Sequence, residues 1–209
     1  KDGNLTYVHP SQFAKRLAEL HRGKKNQAIY TDGVESRAQY YLHVNDGRKF
    51  FQYDAAEHTK RTFVQHVQHL RMELANDAMR NVFSHEVYQD RMNFLNSVEK
   101  TVQDILPRFP DRRVSFVLVH HTERYAKGTG TVEWHKDRDF NARGRVTVIA
   151  TVLGPSTRYH FDNSKRKEFT EITVPDESLV GHTDRVMHAS PDNTMKRGRL
   201  AIVIDFVRK

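Results

Sequence analysis

The sequence predicts an α+β fold, in which a helical layer formed by the first half covers an antiparallel β-core formed by the second half. Apolar residues recur at helical spacing up to about residue 110. Beyond that point, short β-rich segments are separated by Gly, Pro, Asp and Asn, which is typical of a sandwich or a jelly roll. We therefore expect a single domain over residues 1–209, with a mostly helical N-terminal layer over 1–110 and the β-core over 111–209.

Three helices are predicted in the first half from the spacing of apolar residues. The first covers Gln12–His21, with Ser11 as its N-cap. The second extends from Glu57 to about Ser84. The third extends from Val87 to Leu106 and ends at Pro107, since the residue before a proline is disfavoured in a helix.

The predicted strands are short and alternate with turn residues. In the first half, Ala38–Val44 and Lys49–Tyr53 are expected to flank a turn at Asn45–Gly47. In the second half the predicted strands are Val114–Val119, Val146–Leu153, Thr157–Phe161, Glu168–Val174 and Leu200–Val207. No repeat of fixed period and no low-complexity stretch interrupts this organisation.

The composition is that of a folded protein, with 37% hydrophobic and 29% charged residues. Lys and Arg (34) exceed Asp and Glu (26), which gives a formal charge of +8. This excess is spread over both halves, so a nucleic-acid partner, an anionic small substrate and a solvated surface all remain open. No apolar run is long enough to span a membrane and the first residues lack a signal-peptide core, so we expect a cytoplasmic protein without membrane contacts.

The absence of cysteine excludes whole classes of site. Disulfide scaffolds, thiolate zinc sites, iron–sulfur clusters and cysteine nucleophiles all require a residue that this chain lacks. Any metal ion must therefore be held by histidine and carboxylate side chains.

A His-x-Asp pair is the strongest candidate for such a site. His135 and Asp137 point to the same side of an extended segment, so both can reach one ion. His188 follows about fifty residues later, and two imidazoles with one carboxylate form the facial triad of non-haem Fe(II). Each piece alone is weak among 13 histidines, and His182 is a competing ligand. A chance occurrence of all these residues in this order is much less probable than a chance occurrence of any one of them.

Arg199 opens the last predicted strand, eleven residues after His188. A guanidinium at the mouth of a buried strand is costly unless an anion is paired with it. A dicarboxylate co-substrate on the metal would supply that anion in a bidentate pair, whereas the ordinary alternative is a charge at the edge of the sheet.

Taken together, these residues resemble the Fe(II)/2-oxoglutarate-dependent dioxygenases, whose core is a double-stranded β-helix (jelly roll). The likeness is greatest to bacterial free-amino-acid hydroxylases of the L-isoleucine 4-hydroxylase type, and it covers roughly Phe116 to Phe206. The motifs that carry it are His121 with Arg124-Tyr125, Trp134-His135-Lys136-Asp137, Glu177-Ser178-Leu179-Val180, Val186-Met187-His188-Ala189 and Arg199. The first half of the chain shows no such likeness.

The resemblance implies a catalytic core in which His135, Asp137 and His188 bind Fe(II). It implies that Arg199 binds the distal carboxylate of 2-oxoglutarate, with O2 as the oxidant, succinate and CO2 as products, and hydroxylation of the substrate. Tyr159 is a candidate hydrogen-bond donor to the co-substrate, although a buried aromatic residue with a hydrated hydroxyl is the simpler interpretation.

Four further residues are candidates for substrate binding. Arg124 and Tyr125 could hold a substrate carboxylate, and Glu133 and Asp139 could meet a substrate ammonium group. Such a set favours a small, amino-acid-like substrate. Two other functions stay open: oxidation of a macromolecule, such as an RNA or tRNA base or a protein side chain, and a non-catalytic metal-binding jelly-roll module.

Two differences from the nucleic-acid demethylases narrow the choice of subfamily that this sequence resembles. Nucleic-acid demethylases of this superfamily usually place a second arginine six residues after the first, where this chain has Asp205. Their Asp-Glu pair after the metal carboxylate is replaced here by Arg138-Asp139. Both differences count against a nucleobase demethylase, and the presence of Asp137 counts against a halogenase.

Overall fold

The computed structural model describes residues 42–44, 47–57, 61–122, 134–137, 144–163, 168–172, 174–176, 179–191 and 199–209. The helices in this part of the chain are α1 (Phe63–Met79) and α2 (His85–Ile105), followed by a short 3-10 helix (Leu106–Arg108). The strands are β1 (Leu42–Val44), β2 (Gly47–Asp54), β3 (Arg112–Thr122), β4 (Val146–Leu153), β5 (Arg158–Asn163), β6 (Glu168–Ile172), β7 (Leu179–Thr183), β8 (Met187–Ala189) and β9 (Arg199–Arg208).

The described strands form two antiparallel sheets. The larger sheet has six strands in the order β1-β2-β3-β9-β4-β7, and the smaller has three in the order β6-β5-β8. The prediction of an α+β fold with antiparallel sheet is confirmed at this level. The closed double-stranded β-helix and the single-domain organisation remain predictions.

Helix α1 begins later than predicted and α2 begins earlier, because in each case an N-cap residue determines where the helix starts. Thr62 forms a capping box with Gln65, in which each side chain accepts the other residue's backbone N–H, at 3.3 and 2.8 Å. Ser84 caps α2 by accepting the N–H of Val87. The predicted helix over 12–21 lies outside the described residues, as does most of the predicted strand over 38–44.

Two strands, β7 and β8, are absent from the sequence prediction. The β7 segment has a glycine and a histidine at its centre, and β8 has only three residues, so neither carries a readable alternation of apolar and polar residues. Conversely, β4 has the predicted bounds because it is almost continuously apolar or β-branched. The strand β8 therefore forms because it pairs with β5, and not because of the composition of β8 itself.

The hydrophobic core lies between the larger sheet and the two helices. Alternate residues of β9, namely Leu200, Ile202, Ile204 and Phe206, are all fully buried in it. The β4 and helical residues that join them include Val148, Ala150, Val152, Val67, Leu95, Val98 and Val102. The intervening positions of the same strands point to the opposite face and include buried polar residues, which is where the candidate site lies.

Among the described helices, none combines the length and the apolar character that a membrane crossing requires.

Candidate metal centre

A backbone bridge joins the two predicted histidine ligands. His135 and His188 form an isolated antiparallel bridge, in which the N–H of each donates to the carbonyl of the other at 3.0 Å. Because β8 also pairs with β5, with His188 opposite Tyr159, this bridge attaches the His-x-Asp segment to the edge of the smaller sheet. The two imidazole centroids lie 4.2 Å apart as a result.

The side chain of Asp137 completes the group. Its Oδ1 lies 3.8 Å from His135 Nε2 and 3.5 Å from His188 Nε2, and one ligand atom from each of the three residues lies within 4.8 Å of the others. Donor atoms that share one ion at about 2.1 Å are themselves roughly 3 to 4 Å apart. These three side chains therefore have the spacing of a common metal site.

The second nitrogen of His188 is fixed by the backbone. Its Nδ1 lies 3.0 Å from the carbonyl oxygen of Val186, so Nδ1–H donates there and the lone pair of Nε2 faces the site. Burial is the main cause that lowers the pKa of His188 to about 4. The imidazole is therefore neutral at neutral pH, which is the form that binds a metal ion.

Asp137 is ionised for a different reason. Burial is the largest influence on the pKa of this carboxyl group and would raise it. The hydrogen bond from His182 and the nearby His188 and Arg145 act in the opposite direction, and together they lower the pKa to about 2. The site thus holds a negative charge ready for a cation.

A row of polar side chains across three strands surrounds this carboxylate. The register places Thr147 on β4 opposite His182 on β7 and opposite Asp205 on β9. Thr147 Oγ1 lies 3.2 Å from Asp137 Oδ2 and 2.7 Å from Asp205 Oδ1. The row therefore connects the candidate metal ligand directly to the interior of the larger sheet.

Arg145, which immediately precedes β4, pairs with Asp205 of β9. Its Nη1 donates to Asp205 Oδ2 at 2.7 Å, and its Nη2 lies 3.6 Å from Asp137 Oδ1. Burial raises the pKa of Asp205, and Arg145 and Thr147 act against that rise. The departure from the demethylase pattern at position 205 is thus accompanied by an arginine that immediately precedes the neighbouring strand β4.

Sequence reasoning missed most of these neighbours. Arg145 and Thr147 went unnoticed, and His182 was ranked only as a competing ligand. The available signal was the spacing of Thr147 and Thr151 along the otherwise apolar β4, with Arg145 just before it, since residues two or four apart in a strand share one face. A buried polar row is expected when such a face lines a site.

Arg199 lies at the start of β9, as predicted, and its guanidinium is partly satisfied. Nη2 donates to Thr157 Oγ1 at 2.7 Å. Its Nε is buried and has no hydrogen-bond partner among the described residues. A buried guanidinium N–H without an acceptor is costly, so this position suits an anionic ligand.

Tyr159 is buried and its hydroxyl contacts protein groups. The oxygen lies 3.3 Å from His182 Nδ1, and the side chain of Thr157 is within hydrogen-bonding reach. Burial raises the pKa of Tyr159 to about 12, with Arg199 and Thr157 opposing the rise. A contact between this hydroxyl and a co-substrate remains a prediction.

The aromatic residue before His135 is also held in place. The indole of Trp134 stacks on the imidazole of His160, with ring centroids 3.6 Å apart, and the guanidinium of Arg158 lies 4.9 Å from the indole centroid. Both partners belong to β5, so the stacking of Trp134 is a second contact that holds the His-x-Asp segment against the smaller sheet.

The predicted substrate-binding residues Arg124, Tyr125, Glu133 and Asp139 lie outside the described residues. The structure therefore brings together the candidate metal ligands and Arg199's surroundings, and it says nothing about those four.

No protein-family model matches this sequence, and no curated protein does. Among solved structures, the nickel complex of the non-haem monooxygenase ThoJ aligns at 18% identity and a TM-score of 0.36, covering 58% of this chain and 54% of that one. A 2OG-Fe(II) oxygenase-family protein from Burkholderia pseudomallei aligns at 10% identity and a TM-score of 0.40, covering 58% and 59%. A prolyl-4-hydroxylase from Pseudomonas putida aligns at 12% identity and a TM-score of 0.41, covering 100% and 91%.

The aligned part of this chain spans a little over half the length of the first two of these proteins. All three TM-scores lie below 0.5. The candidate metal centre is defined by the arrangement of His135, Asp137 and His188 in this chain.

Proposed function

We propose that this chain is an Fe(II)- and 2-oxoglutarate-dependent dioxygenase that hydroxylates a small molecule, a free amino acid or a close derivative, and releases succinate and CO2. The observation that carries the proposal is the convergence of His135, Asp137 and His188, each of which has one ligand atom within 4.8 Å of the others. Two imidazoles and one carboxylate leave three coordination positions for other ligands, as in non-haem Fe(II) oxygenases.

The donor set fits the metal that the proposal requires. The site is rich in nitrogen and oxygen donors, lacks thiolates, and carries one full negative charge on Asp137. Zinc accepts the same ligands, so the metal alone does not establish the reaction. The unsatisfied Nε of Arg199 supports a dicarboxylate co-substrate beside the metal.

In this proposal the bound iron, with 2-oxoglutarate and O2, supplies the oxidising chemistry for C–H hydroxylation. The chain supplies position and charge. His188 directs Nε2 into the site because its Nδ1–H is bound to Val186, and Asp137 neutralises part of the metal charge. Arg199 binds the distal carboxylate of the co-substrate and orients it.

The amino-acid-like substrate rests on the family resemblance rather than on described contacts. Arg124 and Tyr125 would bind the substrate carboxylate, and Glu133 and Asp139 would bind its ammonium group. A screen of succinate release over amino acids, peptides and RNA, with iron and ascorbate present, tests this substrate class directly.

The metal assignment is tested without turnover. Anaerobic addition of Fe(II) and 2-oxoglutarate to the protein should give a weak visible charge-transfer band, and His135→Ala should abolish it. His69→Ala is the matched control, because His69 lies on α1 and pairs only with the exposed Glu73 in the described contacts. A band that survives in a folded His135→Ala protein would show that the assignment is wrong.

The role of Arg199 is tested separately. Arg199→Met should raise the 2-oxoglutarate concentration needed for the band about 30-fold or more, since removing one member of a buried charge pair costs about 2–5 kcal/mol. The affinity for Co(II) alone should change little, because Arg199 is placed at the co-substrate and not at the metal.

A second candidate substrate class is a nucleic acid, which the formal charge of +8 favours. Binding of RNA should then weaken steeply with salt, in proportion to the phosphates neutralised. A flat salt dependence would remove this candidate, and metal binding without any succinate release would instead favour a non-catalytic metal-binding module.

A further inference from the structure

A buried histidine outside the proposed triad touches the metal carboxylate. His182 lies on β7, its side chain is 2% exposed, and its Nε2 is 3.4 Å from Asp137 Oδ2. Nε2 is buried, and apart from this contact, which is longer than an ordinary hydrogen bond, it has no polar partner among the described residues. The contact falls on the oxygen of Asp137 that faces away from His135 and His188, whose Nε2 atoms approach Oδ1.

The other nitrogen of His182 begins a path to the co-substrate arginine. Nδ1 lies 3.3 Å from the hydroxyl of Tyr159, and that hydroxyl is within hydrogen-bonding reach of Thr157. Thr157 Oγ1 in turn accepts from Arg199 Nη2 at 2.7 Å. Side chains from the two sheets thus form one line of polar contacts between the two ends of the proposed site.

The two ends of this line determine the direction of its hydrogen bonds. Arg199 can only donate, so Thr157 Oγ1 accepts from it and has its own proton available for Tyr159. Tyr159 then donates to Nδ1 of His182. With Nδ1 accepting this hydrogen bond, the proton of the ring lies on Nε2, the nitrogen that faces Asp137 Oδ2. The opposite tautomer would set the Nε2 lone pair against a carboxylate oxygen, which is unfavourable.

From this geometry we infer that His182 is a positioning residue for Asp137, held in its Nε2–H tautomer by the hydroxyl of Tyr159 at its Nδ1. The contact of His182 Nε2 with Oδ2 leaves Oδ1, which the Nε2 atoms of His135 and His188 approach, as the oxygen that faces the proposed metal. The inference rests on the proposed function for its metal, and it adds to that function a residue that would orient the metal carboxylate.

The tautomer is measured first, in the metal-free protein. Long-range 1H–15N correlation spectra of the imidazoles should show His182 protonated at Nε2. In Tyr159→Phe, which keeps the ring and deletes the donor to Nδ1, the spectrum should shift towards a mixture of the two tautomers. The matched control is Tyr88→Phe on α2, where His182 should be unchanged. An Nδ1–H tautomer in the unmodified protein would overturn the inference.

Metal affinity is measured next, with Co(II) alone as the probe. Loss of an outer partner of a ligand typically costs 10–100-fold in metal affinity, so His182→Ala should weaken Co(II) binding by about that factor. His182→Gln, whose amide can still donate to Oδ2, should recover part of the loss. A folded His182→Ala protein with unchanged Co(II) affinity would overturn the inference.

Zinc separates a positioning role from direct ligation. If His182 positions Asp137, its Nε2 proton should persist when the diamagnetic Zn(II) is added. If His182 is itself a ligand, that proton must leave and the inference is wrong.

The two proposals fail in different ways. If Co(II) binds and responds to His182 but no substrate yields succinate, the proposed function fails and the positioning role stands. If the unmodified protein binds no metal, the proposed function fails, and His182 cannot be positioning a metal ligand whatever its tautomer.

Discussion

The two faces of the larger sheet bury opposite kinds of side chain, apolar on one face and polar on the other, although the same strands supply both. On β9, Ile202, Ile204 and Phe206 are fully buried against the helices, while Asp205 between them is buried on the opposite face. The helical face is sealed by shape and apolar area. The opposite face buries charges and hydroxyls, each of which needs a specific partner, as Asp205 has in Arg145.

This difference indicates which substitutions each face of the sheet should tolerate. A packed apolar face tolerates changes that preserve volume, because its interactions are not directional. The polar face depends on the strand register that places His182, Thr147 and Asp205 in one row. Stability and chemistry should therefore be separable by mutating alternate positions of a single strand.

The largest expected effect on stability comes from the apolar face. Ile204→Ala should lower the free energy of unfolding by about 2–5 kcal/mol, because it removes a fully buried side chain and leaves a cavity. Denaturant titration measures the loss. Co(II) affinity of the folded protein should stay the same, and a large drop in that affinity would mean that the two faces are not independent.

Removing the proposed metal carboxylate should give the reverse result. Asp137→Ala should weaken Co(II) binding by more than about 100-fold, which exceeds the usual effect of an outer-shell change. Asp104→Ala is the matched control, since that carboxylate lies on the surface of α2 beside Lys100. Equal Co(II) affinity in the two variants would place the metal elsewhere.

A pH effect should arise from the polar face of the metal-free protein. The folded pKa of His188 is about 4 against an ordinary value of 6.5, so the unfolded chain binds more protons between these values. The contribution of His188 to the free energy of unfolding should be fully present above about pH 6.5. It should fall by up to about 3 kcal/mol as the pH drops towards 4. His188→Gln should lose this dependence over that range, whereas His69→Gln should keep it. The lowered pKa of Asp137 acts only at lower pH.

The smallest expected effect lies on neither face. Lys100 and Asp104 form an exposed pair one helical turn apart at 2.7 Å. Lys100→Ala should change stability by about 0.5 kcal/mol or less, and less again in high salt, because exposed pairs of this kind are screened. A larger change in denaturant titration would mean that the surface of α2 contributes more than its exposure indicates.

The sequence allowed the segments with strong local patterns to be predicted. The bounds of β4 and the existence of β9 follow from continuous apolar or β-branched residues, and the proposed triad follows from the order of His135, Asp137 and His188. The start of α1 was misjudged because residues 57–62, which contain no apolar residue, were included in the helix although the capping box at Thr62 ends that segment. A local cap decides where a helix starts, whereas periodicity only indicates that one exists.

The polar surroundings of the triad could not be predicted in the same way. His182, Thr147 and Asp205 meet because β7, β4 and β9 are neighbours in a particular register, and no short segment of the sequence contains that information. A strand shifted by one residue would send each of these side chains to the other face. Such contacts become visible only when the pairing is known.

The stacking of Trp134 on His160 gives the molecule an optical reporter. The chain has a single tryptophan, so its emission comes from one place, one residue before His135. Any event that reorients the His-x-Asp segment changes the indole's contact with the imidazole and with Arg158. Occupancy of the metal centre can therefore be followed by intrinsic fluorescence, in the unlabelled protein and at concentrations far below those that other spectroscopies require.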